Sequence, residues 1–251
     1  MTDARSILCI HGVGHGDADR NLRPRWRRAI RSGIERSKPK AGADVDFLDY
    51  DDLFDHAPLN PVVYARAFER LLESGIEHGL LGAREARDLP DEIRWTAGMI
   101  AQWASEEPLR DELRRRLRSK MGEKPYEAVC AYSLGSLLSY DAFSRTPRTI
   151  AGKDYITLGS QIGDPYVRGL FPGSVAALEG ARMWYHLYNP LDRVFTSPLA
   201  LDAPNFTQVV TEFDEPDNLL NHDAIAYLDH PDARLTVWAS LARGATARAS
   251  S

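Results

Sequence analysis

Short apolar runs alternate along the chain with longer stretches in which apolar positions recur every three or four residues. The runs SILCI (Ser6 to Ile10), DVDFLDY (Asp44 to Tyr50), EAVCAY (Glu127 to Tyr132), DYITLGS (Asp154 to Ser160), RMWYHLYN (Arg182 to Asn189) and FTQVVTEF (Phe206 to Phe213) read as strands. PRWRRAIRSGIERS (Pro24 to Ser37) puts Trp26, Ala29, Ile30, Gly33 and Ile34 on one face of a helix. DAIAYLDH and DARLTVWASLAR predict two further helices, and GATARASS reads as a frayed tail. Strands that alternate with helices pair in parallel and are covered on both faces. The expectation is an α/β fold with a mostly parallel central sheet of about six strands flanked by helices. No repeat or low-complexity linker interrupts the pattern, so residues 1–251 are expected to form a single domain.

One connection breaks this economy. A crossover between parallel strands needs roughly a dozen residues or somewhat more, yet the second and third strands are separated by the whole stretch 51–126. Most of it has helical spacing, in VVYARAFERLLESGIEHGLLG, DEIRWTAGMIAQWASEEP and LRDELRRRLRSKMG. Residues 55–120 are therefore expected to be a helical insertion, read as a cap over one end of the sheet. Tyr64, Phe68, Leu71, Leu72, Leu80, Leu81, Trp95, Met99, Ile100 and Trp103 fall at helix-like spacings within it, fit for lining an apolar pocket or for packing helices together.

Composition narrows the classes. The chain of 251 residues is 43% hydrophobic and 27% charged with a formal net charge of −5, so nothing global draws it to nucleic acid. No apolar run reaches the ~20 residues of a membrane span, and the run after MTDARS is too short for a signal peptide, which predicts a cytoplasmic location. RPRWRRAIR and LRDELRRRLRSK are basic and amphipathic, compatible with a peripheral contact to anionic lipid, although such faces are usually just solvated. Cys9 and Cys130 both fall in strands expected to be buried, hence free thiols.

Chemistry concentrates at the strand ends. HGVGHG (His11 to Gly16) is a glycine turn after the first strand, but its spacing of Gly12, Gly14 and Gly16 departs from the G-x-G-x-x-G dinucleotide fingerprint, and no G-K-[ST] phosphate loop is present. His11, His15, Asp17 and Asp19 are crowded into one short turn, which seldom supplies a full metal ligand set. No metal or cofactor is expected. AYSLG (Ala131 to Gly135) lies where a strand gives way to a helix and approximates G-x-S-x-G, with Ala131 for the first glycine. Ser133 there is either a nucleophile on a sharp turn or a helix N-cap. A nucleophilic serine needs a histidine and an acid. Asp192 follows the fifth strand and His222 the sixth, in the chain order Ser, Asp, His; Asp202 and His230 are rival positions, and Asp192 beside Pro190 also suits a turn.

With ILCIHGVG, VCAYSLGS, YITLGS, YHLYNPLDRV and NLLNHDAIAYL taken together, the chain resembles the α/β-hydrolase superfamily, specifically its lipase- and esterase-like serine hydrolases. The likeness spans most of the chain outside the helical insertion. It implies Ser133 as nucleophile, Asp192 as acid and His222 as base, with an oxyanion hole from the backbone N–H groups of Leu134 and Val13. His11, Gly12, His15 and Tyr132 would line the substrate site. The implied activity is cleavage of a small-molecule or lipid carboxylic ester through an acyl-enzyme, without cofactor. Thioester or amide substrates, or a non-catalytic binding role of the same fold, are the alternatives. Ala131, Tyr132 and the missing first strands of the family are departures from its pattern.

Overall fold

The computed structural model describes residues 4–12, 19–39, 41–57, 59–81, 88–215 and 220–244. Six strands form one all-parallel sheet: β1 (Ala4–Ile10), β2 (Gly42–Phe47), β3 (Ala128–Tyr132), β4 (Asp154–Leu158), β5 (Met183–Tyr188) and β6 (Phe206–Val210). Their order is β2-β1-β3-β4-β5-β6. The chain therefore steps outward from β1 to β2, returns to the other side of β1 at β3, and continues in one direction to β6. The ends of β1 and β3 flank the point where that direction reverses, and crevices at the carboxyl ends of strands open there in α/β sheets.

Alternation along each strand explains the two-sided packing. Leu8, Ile10, Val129 and Ala131 face one layer, whereas Ile7, Cys9, Ala128 and Cys130 face the other. The second layer holds α1 (Asp19–Ser37), with Trp26, Ala29, Ile30 and Ile34 on its buried face as the spacing predicts. There Gly33 lies so close to Trp238 that a Cβ would come within 2.4 Å of the indole. Cys9 and Cys130 are register partners across β1 and β3, buried and free. Burial pushes the Cys9 thiol well above its usual pKa.

The first layer is built by the long connection. It contains α2 (Asp51–His56), α3 (Pro61–Glu77), α4 (Asp91–Ser105) and α5 (Glu107–Met121), followed after β3 by α6 (Leu134–Arg145). Leu71, Leu81, Ile100 and Trp103 are buried in the core of this layer, while Tyr64, Trp95 and Met99 line an open groove of about 780 Å³ between α2, α3 and α4. The basic stretch on α5 is not a solvated face throughout. Arg110 and Arg114 are buried, and both donate to the buried carboxylate of Asp141 on α6. Arg114 also donates to Glu107 and Asp111, and Arg145 to Asp141, so the buried charges are balanced by a network rather than by one carboxylate. Arg27 and Arg31 of the other basic stretch donate to the carbonyls of Val45 and Ala43 on the edge strand β2. Beyond β4 come α7 (Pro165–Arg168), and after β6 α8 (Ala224–Asp229), α9 (Pro231–Ala233), a π-helical segment (Arg234–Trp238) and α10 (Ala239–Arg243). No described helix is long and apolar enough to cross a membrane.

Candidate active site

Ser133 stands between β3 and α6 in a conformation that side chains rarely adopt, φ 50° and ψ −126°. Its hydroxyl makes no capping bond to the helix, so the N-cap role available from the sequence is not the one the structure uses. The turn is held from both sides. The Ser133 N–H donates to Leu158 O of β4 at 3.0 Å, and Ser133 O accepts from the N–H of Ser136 at 2.8 Å. Space explains the residues around it. A Cβ at Gly135 would lie 2.3 Å from His11 O and 2.5 Å from Ile10 O, and one at Gly12 would lie 2.9 Å from Ser133 Cβ. The methyl of Ala131 points into the core between Ile10 and Thr157, its register partners, and is fully buried.

The later loops bring the other two residues to this turn. His222 Nε2 lies 3.1 Å from Ser133 Oγ, and His222 Nδ1 lies 2.7 Å from Asp192 Oδ2. A carboxylate only accepts, so Nδ1 carries the proton and Nε2 is left to accept the serine hydroxyl. Asp192 is fully enclosed and receives two further bonds. The Val194 N–H donates to Oδ1 at 2.9 Å and the Tyr227 hydroxyl to Oδ2 at 2.7 Å. Burial and the Asp192 charge push the Tyr227 phenol far above its ordinary pKa, which keeps it a donor. The rival positions do not converge here: His230 bonds Glu212 O and caps α9.

The loops of Asp192 and His222 are zipped together. Arg193 N–H donates to Leu220 O at 2.9 Å, and the Asn189 amide bonds the carbonyls of Phe213 and Asn221. The three non-glycine residues with positive φ among the described residues are Ser133, Phe195 and Asn221. One belongs to each of the three loops that meet at the site. A bulky residue such as Phe195 pays for that region of backbone space, on the order of 1–3 kcal/mol, and such strain collects where the surrounding fold over-determines a geometry.

The remaining sequence candidates fall around this centre in different ways. Tyr132 stacks obliquely on the His222 ring at 4.8 Å and its hydroxyl donates to His222 O at 2.9 Å, so it steadies the histidine. His11 is buried, stacked on Tyr50 at 4.6 Å, with Nδ1 2.8 Å from Gly12 O. The Tyr50 hydroxyl lies 2.7 Å from the carbonyl oxygens of both His11 and Gly12 and shares its one proton between them, which secures the start of the glycine turn. Leu134 opens α6, where the first amides have no helical acceptor. Val13 and His15 lie outside the described residues, as does Asp17. No group of acidic, histidine or cysteine side chains suited to a metal occurs among the described residues.

Three contributors carry no signal in the local sequence. Tyr227 is one apolar-face residue of a short helix, Val194 acts through its backbone, and Gln161 sits two residues beyond Gly159 in the loop after β4. Fully buried, Gln161 turns the two protons of its NH₂ group toward Val194 O at 3.0 Å and Gly159 O at 3.2 Å, and the same nitrogen lies 3.4 Å from Ser133 Oγ as a third, longer contact. Gly159 itself has φ 53°, and a Cβ there would press on His222 Cε1 at 2.9 Å. Comparison with known protein families, curated proteins and solved structures gives no match.

Proposed function

We propose that this protein is a serine hydrolase of the α/β-hydrolase type that cleaves carboxylic esters through an acyl-enzyme. The observation that carries the reading is the unbroken line from Ser133 Oγ through His222 to Asp192, 3.1 and 2.7 Å long, with the serine on a strained strand-to-helix turn. Its place beside the reversal of the strand order, and the chain order Ser, Asp, His, support the same reading.

In this mechanism His222 Nε2 takes the Ser133 proton as Oγ attacks the acyl carbon, and Asp192 stabilises the imidazolium and holds its tautomer. The N–H of Leu134, with that of Val13, receives the oxyanion; one such donor is worth about 3 kcal/mol. His222 then protonates the leaving group, and water releases the acyl group by the same steps in reverse. The helices of the insertion serve as the cap. Their groove, lined by Phe54, Tyr64, Trp95 and Met99 with Asp55, Asp91 and Arg94 at its polar positions, is the proposed acyl-binding surface; it includes none of the three central residues, and its member Asp51 lies 3.6 Å from His11 Nε2.

A fluorophosphonate probe tests this directly. Covalent labelling of the wild type, abolished in Ser133→Ala, is expected, together with serine-dependent turnover across a chain-length series of p-nitrophenyl esters. Labelling that survives Ser133→Ala sinks the assignment. Labelling without ester turnover moves the substrate to thioesters or amides, and no labelling at all moves the protein to a binding role.

A further inference from the structure

We propose that Gln161 is a positioning residue that sets the distance between the nucleophile and the acid on either side of His222. The inference rests on the hydrolase reading for its catalytic consequence, but not for its geometry. Two of the three acceptors facing the Gln161 amide are the carbonyls of Gly159 and Val194. Carbonyl oxygens cannot donate, so the NH₂ end must point toward them, and the orientation of the side chain is determined by its surroundings. The same NH₂ group reaches Ser133 Oγ at 3.4 Å. The serine proton is directed at His222 Nε2, so the face of Oγ turned to Gln161 is a lone pair.

Val194 makes this contact consequential. Its N–H holds Asp192 Oδ1 at 2.9 Å, and its C=O is held by Gln161 at 3.0 Å. One side chain therefore touches both the nucleophile and the residue that anchors the acid. The next residue, Phe195, has φ 55° and is wedged against Gly75 of α3, where a Cβ would meet its ring at 2.8 Å. The acid loop is thus pressed from the insertion on one side, and on the other Gln161 ties it to Gly159 and brings its NH₂ group against Ser133 Oγ in a longer contact. Without that tie the strained Phe195 backbone has a reason to relax, and relaxation moves Val194 and the carboxylate with it.

Gln161→Met keeps the volume and removes both donors. Three readouts decide: thermal midpoint, the rate of fluorophosphonate labelling, and the downfield proton NMR resonance of His222 Nδ1–H, which requires a fixed bond to Asp192. The expected result, measured well below the melting point, is a labelling rate reduced about 10²-fold, as for a small misplacement of reacting groups, and loss of the resonance to solvent exchange. With an ester substrate, kcat falls and KM stays within about twofold. Gln161→Glu, which presents acceptors to the same two carbonyls, should repeat both losses and serves if the methionine variant does not fold. A variant that lowers only the melting point, with wild-type labelling and an intact resonance, overturns the proposal, as does a wild type without the resonance. A resonance lost on substitution in a protein that is never labelled upholds the positioning role and removes the hydrolase reading instead.

Discussion

Gly135 approaches His11 so closely that an added Cβ would lie 2.3 Å from the His11 carbonyl oxygen. This contact joins the helix after Ser133 to the glycine turn after β1, and both partners are backbone, with no flexible side chain to yield. The serine turn and the glycine turn are in this sense one structure.

Gly135→Ala should therefore separate α6 from β1. A loss of at least 1–3 kcal/mol is expected from overpacking, together with loss of probe labelling at Ser133. Gly152→Ala is the control. Gly152 has φ 72° with open space around its Cβ position, so only the conformational penalty, about 1–2 kcal/mol, should appear. Urea unfolding of the two variants measures the difference; equal losses would mean that the close approach costs nothing.

Asp192→Asn should cost about 1–3 kcal/mol of stability, because a buried donor then faces a donor, and far more in activity. The carboxylate accepts from His222, Tyr227 and the Val194 N–H. An amide oxygen cannot replace both carboxylate oxygens, so the NH₂ group must face one of these donors. Turned toward His222 it imposes the other tautomer, which leaves no acceptor for the serine proton. A fall in kcat on the order of 10⁴-fold is expected, read by steady-state kinetics, with the backbone unchanged by circular dichroism.

Tyr227→Phe separates support from chemistry. The hydroxyl donates to Asp192 Oδ2 at 2.7 Å and accepts from Asn189 N–H at 3.3 Å. Its removal leaves a buried amide unpaired and takes one bond from a buried carboxylate, at a cost of about 2 kcal/mol. His222 keeps its bond, so labelling should slow by no more than about tenfold. A loss as large as that of Asp192→Asn would instead make Tyr227 part of the proton-transfer unit.

His186 predicts an acid weakness unconnected with the site. It is fully buried in β5 beside Thr157, and burial pushes its pKa down to about 4. Below the unfolded value of ~6.5, the unfolded chain takes up a proton that the folded protein refuses until about pH 4. Stability is thus level above that range and falls as pH drops through it, by up to about 3 kcal/mol. Urea midpoints between pH 4 and 7 should show this slope in the wild type and a flatter one in His186→Gln. Parallel slopes would assign the weakness to other groups.

Much of this was legible in the chain because periodicity reports local geometry. The apolar runs placed all six strands, although the second ends at Phe47 where the pattern ran on to Tyr50, and the sixth at Val210 where it ran on to Phe213. Tyr50 is buried for another purpose, to bind the carbonyls of His11 and Gly12. Ser133, Asp192 and His222 could be chosen because each follows its own strand, and a strand end fixes where a side chain is delivered. Arg110 and Arg114 could not be read correctly, since a basic helix face looks the same whether it meets water or a buried Asp141 on another helix.

By itself, then, the sequence determined the order and alternation of the elements, and hence which loops gather at one end of a parallel sheet. Those properties depend on neighbours a few residues apart. Only the tertiary structure decided that Gln161, Val194 and Tyr227 brace the centre, and that Phe195 and Asn221 join Ser133 in the left-handed region. The bonds from Gln161 to Val194 and from Asp192 to Tyr227, which join one loop to another, span more than thirty positions, while the local bond from Val194 to Asp192 depends on the loop those longer ones shape. Their geometry is set by how strands stack and loops close, and no local pattern of polar and apolar residues encodes it.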